Sequence, residues 1–203
     1  MMEITAAPVI DDDFLRLVLD HCKIDAGDPE DLYADPGDAD LVPLIEHYVE
    51  AAVGRVEACS GRRLFKQSLR LTVDGFGRAI ELPASPVIAV TKVEYLDAQG
   101  GLVTLPSASY ALIDRLGAPK LIPAHGHSWP ATAAFPGAVL VDFDAGYAGA
   151  DNDPDMIPAP LRQAVMMTVA DFFRFGSNTA TVALHGIPDD AYRACQPFRR
   201  EWQ

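Results

Sequence analysis

The feature that most constrains this chain is a change of hydrophobic period at Gly61. Before it, Leu41, Leu44, Ile45, Tyr48, Val49, Ala52, Val53 and Val56 recur at steps of three and four, the spacing that lines one face of a helix over about five turns. After it, in "SLRLTVDGF", Leu69, Leu71 and Val73 alternate, the period of a strand with one buried face. One segment cannot satisfy both periods. A helix over 40–60 therefore stops at Gly61, and a β region begins near residue 68.

The rest of the chain follows from the same two periods. Residues 11–24, "DDDFLRLVLDHCKI", place Phe14, Leu15, Leu17 and Val18 near one face, behind three aspartates suited to a helix N-terminus. Residues 25–40 mix Pro, Gly and acids without apolar periodicity and read as a solvated loop. Beyond Gly61, "AIELP", "VIAVTKVEYL", "LVTL", "YALID", "KLIPA" and "AVLVDFDAGY" supply further strands, with "DAQGG" as a hairpin loop. A third helix is expected over 157–175, with Pro158 and Pro160 tolerable only near its first turn. The expected fold is α+β, in a single domain over 1–203. Two N-terminal helices occupy 1–67, an inserted antiparallel β region, a sheet or small sandwich, lies at about 68–147, and a tail runs over 176–203.

Composition narrows what such a fold can do. At 49% hydrophobic and 22% charged residues the chain can fill a core. No stretch approaches the roughly 18 apolar residues of a membrane span, and the first residues lack the pattern of a signal peptide, so synthesis in the cytoplasm is expected. Cys22, Cys59 and Cys195 form no C-x-x-C pair and suggest reduced thiols. Of the net charge of −13, −12 lies within residues 1–60. A chain this acidic is not expected to hold nucleic acid by neutralising phosphates.

Candidate chemistry is sparse. His125, His127, Asp142 and Asp144 could converge on a divalent metal, which would make the protein a metal-dependent hydrolase. Against this, alternation along β-type sequence puts Val139, Val141 and Phe143 on one face and Leu140, Asp142 and Asp144 on the other, so an edge strand or a solvent-facing pair explains both acids. The phosphate-loop, dinucleotide, zincin and nucleophile-elbow motifs are missing from the sequence. His47 and Cys59 sit twelve residues apart on one helix and read as ordinary helical residues. Cys195, near basic residues, could carry a lowered pKa, although an incidental thiol is the simpler expectation. The tail sets Tyr192, Phe198 and Trp202 among Arg193, Arg199 and Arg200, the composition of an interface anchor or of a segment folded back on its own domain. A small intracellular binding module using this tail is a further alternative.

The ordered set "LDHCKID" at 19–25, "DLVPLIEHYVEAAVGRVEACSGRRLFKQSLRLTVDGF" at 40–76, "IELPASPVIAVTKVEYLDAQG" at 80–100, "SWPA" at 128–131, "VDFDAGYA" at 141–148 and "IPAPLRQAVMMTVADFF" at 157–173 resembles the head-tail connector family of tailed bacteriophages. These are also called adaptor or head-completion proteins, and they have relatives in prophages and gene transfer agents. No single string is specific; the order of the set carries the resemblance. It implies a structural, non-enzymatic virion protein with no catalytic residues, cofactor or metal. The implied subunit has a helical connector framework and a C-terminal docking tail. It forms a homo-oligomeric ring, normally dodecameric, beneath the portal protein, and so lies at the head–tail junction of a phage or phage-like particle. The ring extends the DNA channel, through which DNA passes without specific binding, and receives a stopper or tail-side protein. No membrane is involved. The family's helices build the ring, which makes Leu41, Ile45, Tyr48, Val49, Arg62 and Arg63 the implied ring contacts. Its C-terminal segment meets the portal, which makes Tyr192, Arg193, Phe198, Arg199, Arg200 and Trp202 the implied portal contacts. The loop at 25–40 is longer and more acidic than the family pattern, and the tail "AYRACQPFRREWQ" matches it only loosely.

Overall fold

In a computed structural model of the chain, residues 1–10, 12–22, 41–115, 117–176 and 189–199 are described. The acidic loop expected at 25–40 lies outside the described residues, as do Arg200 and Trp202. The chain divides into two compact units, Met1–Val9 with Phe65–Asn152 and Ile10–Leu64 with Asp153–Gln203.

The first unit is a β structure. Strands β1 (Met2–Ala6), β2 (Gln67–Val73), β8 (Val139–Ala145), β4 (Val87–Leu96) and β5 (Leu102–Thr104) form one antiparallel sheet in that spatial order. Strands β3 (Ile80–Glu81), β7 (Ala118–Pro123) and β6 (Tyr110–Arg115) form a second antiparallel sheet. One core serves both: Leu69, Leu71, Val93, Val141 and Phe143 from the larger sheet join Ile80 and Leu121 from the smaller. The loop around "SWPA" is fixed to this core by Trp129, whose ring stacks on Phe76 with centroids 4.6 Å apart.

The hairpin read at "DAQGG" is present. Its carboxylate closes it, since Asp97 Oδ1 accepts from the N–H groups of Gln99 (2.9 Å) and Gly101 (2.8 Å). β8 departs from expectation in one respect: it is a central strand, paired along its length with both β2 and β4. The alternation of faces along β8 is as expected, with Val139, Val141 and Phe143 buried and Leu140, Asp142 and Asp144 on the opposite, half-buried face.

The second unit is helical. It contains α1 (Asp12–Cys22), α2 (Leu41–Ser60), α3 (Ala159–Gly176) and α4 (Asp189–Cys195). Its core draws Phe14 and Val18 from α1, Val49, Ala52 and Val56 from α2, and Leu161, Val165 and Val169 from α3. Tyr48 sits 5.8 Å from both Phe172 and Phe173, and the Arg55 guanidinium lies 4.6 Å over the Phe172 ring. Helix and antiparallel sheet thus occur as an α+β combination. No described helix is long and apolar enough to cross a membrane.

The end of α2 shows why "SGRR" follows the helical pattern. Gly61 takes φ +66°, a conformation that favours glycine, and its N–H still reaches the Glu57 carbonyl at 2.8 Å. Ser60 Oγ donates to the Val56 carbonyl (2.8 Å) and accepts from the Arg62 N–H (3.2 Å). Glu57, only 5% exposed, binds Arg63 Nη1 at 2.8 Å and the Leu64 N–H at 2.8 Å. The buried carboxylate therefore has a charge partner and a backbone donor, which together offset its desolvation.

Candidate functional site

The described part of the C-terminal segment forms a short helix that faces two ways. Asp189 and Asp190 stand in the first turn of α4 and Arg193 in the last, the arrangement its dipole favours. Ala191 and Cys195, four residues apart, are buried on one side, where α4 packs on α3 and α2. Tyr192 and Arg193 are exposed on the other side. Arg199 Nη1 donates to the Tyr192 hydroxyl at 3.2 Å. Just beyond the helix, the Phe198 carbonyl accepts from Arg62 Nε at 2.9 Å, which ties the segment to the end of α2.

The residues expected at a ring contact take several positions. Ile45 and Val49 are buried within the helical unit, Tyr48 is half-buried among the α3 aromatics, and Arg62 and Arg63 are engaged by Phe198 and Glu57. The Leu41 backbone begins α2, and its side chain lies outside the described residues. Leu17 and Leu44, which spacing puts on the apolar faces of their helices, are instead open side chains of the same helical unit, at 39% and 40% exposure.

The four residues of the metal alternative are differently occupied. Asp142 receives two hydrogen bonds from Arg70, Nε to Oδ1 at 2.7 Å and Nη2 to Oδ2 at 2.8 Å. This pairing drives the Arg70 guanidinium pKa well above its ordinary value, through the hydrogen bond first and the carboxylate's charge second. Asp144 accepts from Ser68 Oγ at 2.7 Å and lies 4.0 Å from Lys66 Nζ. His125 and His127 are exposed in the turn after β7. Among the described residues no group of three His, Cys, Asp or Glu side chains is placed to hold a metal ion. The two carboxylates belong to a charge-compensated sheet face. Registered pairs Glu3–Arg70, Arg70–Asp142 and Asp142–Lys92 carry alternating charge across β1, β2, β8 and β4.

Cys195 also differs from the lowered pKa weighed for it. Burial pushes its thiol up to about 12, aided by the charge of Cys59 and a hydrogen bond with that residue. Such a thiol is a poor nucleophile at neutral pH. His47, the base imagined for Cys59, is exposed and has its ring centroid 6.4 Å from that of Tyr48.

No family model matches this sequence, and no curated protein matches it. Solved structures of similar fold do exist. A chain in the virion of a native gene transfer agent particle is similar at 24% identity and a TM-score of 0.71, over 100% of this chain and 97% of its own. A chain in the neck of an empty gene transfer agent particle, computed with C6 symmetry, is similar at 24% identity and a TM-score of 0.72, with the same coverage. Another, in the neck of a native particle computed with C12 symmetry, has 22% identity and a TM-score of 0.65, over 98% of this chain and 97% of its own. At these identities the likeness is one of fold, and it runs through both units.

Proposed function

We propose that this protein is a non-enzymatic head–tail connector subunit, which assembles as a ring beneath a portal, continues the DNA channel and receives a stopper or tail-side protein. The observation that carries this reading is the end-to-end likeness of fold to a neck chain, over 100% of this chain and 97% of the other. The order of motifs from "LDHCKID" to "IPAPLRQAVMMTVADFF" supports it independently. Both units take part in the likeness, so it does not rest on a common helical bundle alone.

A ring requires one surface of each subunit to meet a different surface of the next, with a rotation that closes. The C12 symmetry applied to one similar neck supports twelve subunits here. In that ring Ile45 and Val49 act by holding α2 in its own core. Leu17 and Leu44 offer apolar side chains to the neighbour, and Arg62 and Arg63 fix the end of α2. Tyr192 and Arg193, on the exposed side of α4, are the portal contacts, joined by Phe198 and Arg199 and by Arg200 and Trp202 of the segment beyond. The acidity of the chain, −13 overall, keeps DNA from adhering as it passes. The proposed location is the head–tail junction of a phage-like particle, reached after synthesis in a bacterial cytoplasm.

Deleting the gene from the producing strain tests this reading. Filled heads and separate tails that fail to join are the expected products. Joined particles in normal number would overturn it.

A further inference from the structure

Strand β1 is an edge of the five-stranded sheet: among the described residues, β2 lies on one side of it and no strand on the other. Its hydrogen bonding fixes what the free side offers. The Met1 ammonium donates to the Thr72 carbonyl at 2.8 Å, and the Thr72 N–H donates to the Met1 carbonyl at 2.8 Å. In an antiparallel ladder such doubly bonded pairs alternate, so Glu3 and Arg70 form the next one, and Met2 and Ile4 turn their N–H and C=O groups outward. These groups line the free edge as far as the bulge between Ile4 and Ala6.

Two rows of side chains end at this edge, one on each face of the sheet. On the core face Val90, Phe143, Leu69 and Ile4 stand in register across β4, β8, β2 and β1. Leu69 is fully buried and Ile4 is 50% exposed, so the apolar row ends in water. On the other face the row Lys92, Asp142, Arg70 and Glu3 alternates in sign and ends in an acid. The edge is therefore open to an apolar residue beside Ile4 and a base beside Glu3. The other edge strands offer less: β5 and β3 are three and two residues long, and β6 exposes only Asp114 and Arg115.

We propose that the β1 edge binds an extended segment of a partner protein as a further antiparallel strand, one in which a lysine or arginine stands between two apolar residues. The base faces Glu3, the apolar residues face Met2 and Ile4, and the outward groups of Met2 and Ile4 supply the backbone hydrogen bonds. A second copy of β1 fits poorly. The antiparallel pairing that uses both Met2 and Ile4 sets Glu3 against Glu3 of the other copy, and like charges directly opposite one another destabilise a ladder. None of these residues belongs to the proposed ring or portal contacts, so the assignment is independent of them.

The test is residue-resolved amide hydrogen exchange on the purified full chain, alone and with either of two capped pentapeptides: valine alternating with lysine, or valine alternating with glutamate. Alone, the Met2 and Ile4 amides should exchange as exposed groups. The lysine peptide should slow both by at least about fivefold, and the glutamate peptide by less than about twofold. Glu3→Lys should reverse that preference. Ile4→Pro removes an outward donor without touching a bond to β2, and should abolish the protection of Met2 by the lysine peptide. The wild-type comparison decides the matter even where a variant misfolds. Amides of Met2 and Ile4 already protected in the free chain, equal protection by the two peptides, protection of β5 or β6 instead, or a dimer joined through β1 would each overturn the proposal.

Discussion

Arg70 and Asp142, neighbours on β2 and β8, are joined by two side-chain hydrogen bonds of 2.7 and 2.8 Å across 72 residues of sequence. The pair explains why a central strand can carry a carboxylate on its non-core face, since the charge is matched on the adjacent strand. The Arg70 and Asp142 side chains are 38% and 21% exposed, so the pair contributes modestly. Asp142→Ala should cost about 1 kcal/mol in urea unfolding, and a double-mutant cycle with Arg70→Ala should recover a coupling of similar size. A stoichiometric metal lost in Asp142→Ala would instead support the metal-dependent alternative.

A larger effect is expected at Glu57, 5% exposed and bound to Arg63 and to the Leu64 N–H. Glu57→Ala leaves both donors without their acceptor at the end of α2. The expected loss is about 3 kcal/mol, measured as a fall in the urea midpoint at unchanged slope. A loss below about 1 kcal/mol would mean that solvent replaces the carboxylate readily.

Gly146 has φ +149°, and a Cβ there would stand 2.3 Å from the Phe65 carbonyl oxygen. Backbone is the obstacle, so the clash cannot be relieved by a side-chain rotation. Gly146→Ala should destabilise the protein by about 3 kcal/mol or more, or prevent soluble expression. A thermal midpoint equal to wild type would contradict the packing of "DAGY" against the backbone of Phe65 and Lys66, just ahead of β2.

Much of this architecture was legible in local sequence because period and burial agree. The seven strands expected between 68 and 147 occur as β2 to β8, and the three expected helices occur as α1, α2 and α3. β1 was missed: "MEITA" pairs, among the described residues, with β2 alone and leaves four of its five residues exposed, so its alternation carries little hydrophobic signal. α4 was missed because seven residues with two buried positions are too short for periodicity to register. Alternation alone explains Asp142 and Asp144 by an edge strand or a solvent-facing pair, whereas β8 is central and its acids are half-buried. Their partners Arg70 and Ser68 are more than seventy residues away, and only strand pairing brings them together.

The buried thiol has a pH signature. Burial pushes the Cys195 thiol from an ordinary 9.0 up to about 12, so the folded state holds its proton where the unfolded state releases it. Its contribution is fully present below pH 9 and is lost as pH rises toward 12. Wild-type stability should fall across that window more steeply than that of Cys195→Ala, by at most about 1.4 kcal/mol per pH unit. Parallel curves for the two proteins would contradict the burial of this side chain.

The tail variants must respect the way α4 is built. Removing residues 189–203 would strip Ala191, Cys195 and the Phe198 carbonyl from the helical unit, so failed incorporation would not separate docking from stability. Tyr192→Ala with Arg193→Ala alters only exposed side chains. This double variant should keep the unfolding free energy within about 0.5 kcal/mol of wild type while lowering retention on the portal at least tenfold. Unchanged retention would move the portal contact away from α4.

The most direct measurement is electron microscopy of this protein expressed together with the portal protein of the same particle. A ring of twelve subunits stacked coaxially on the portal, with α4 facing it, is the predicted result. A protein that stays monomeric and does not associate with the portal would contradict the connector function.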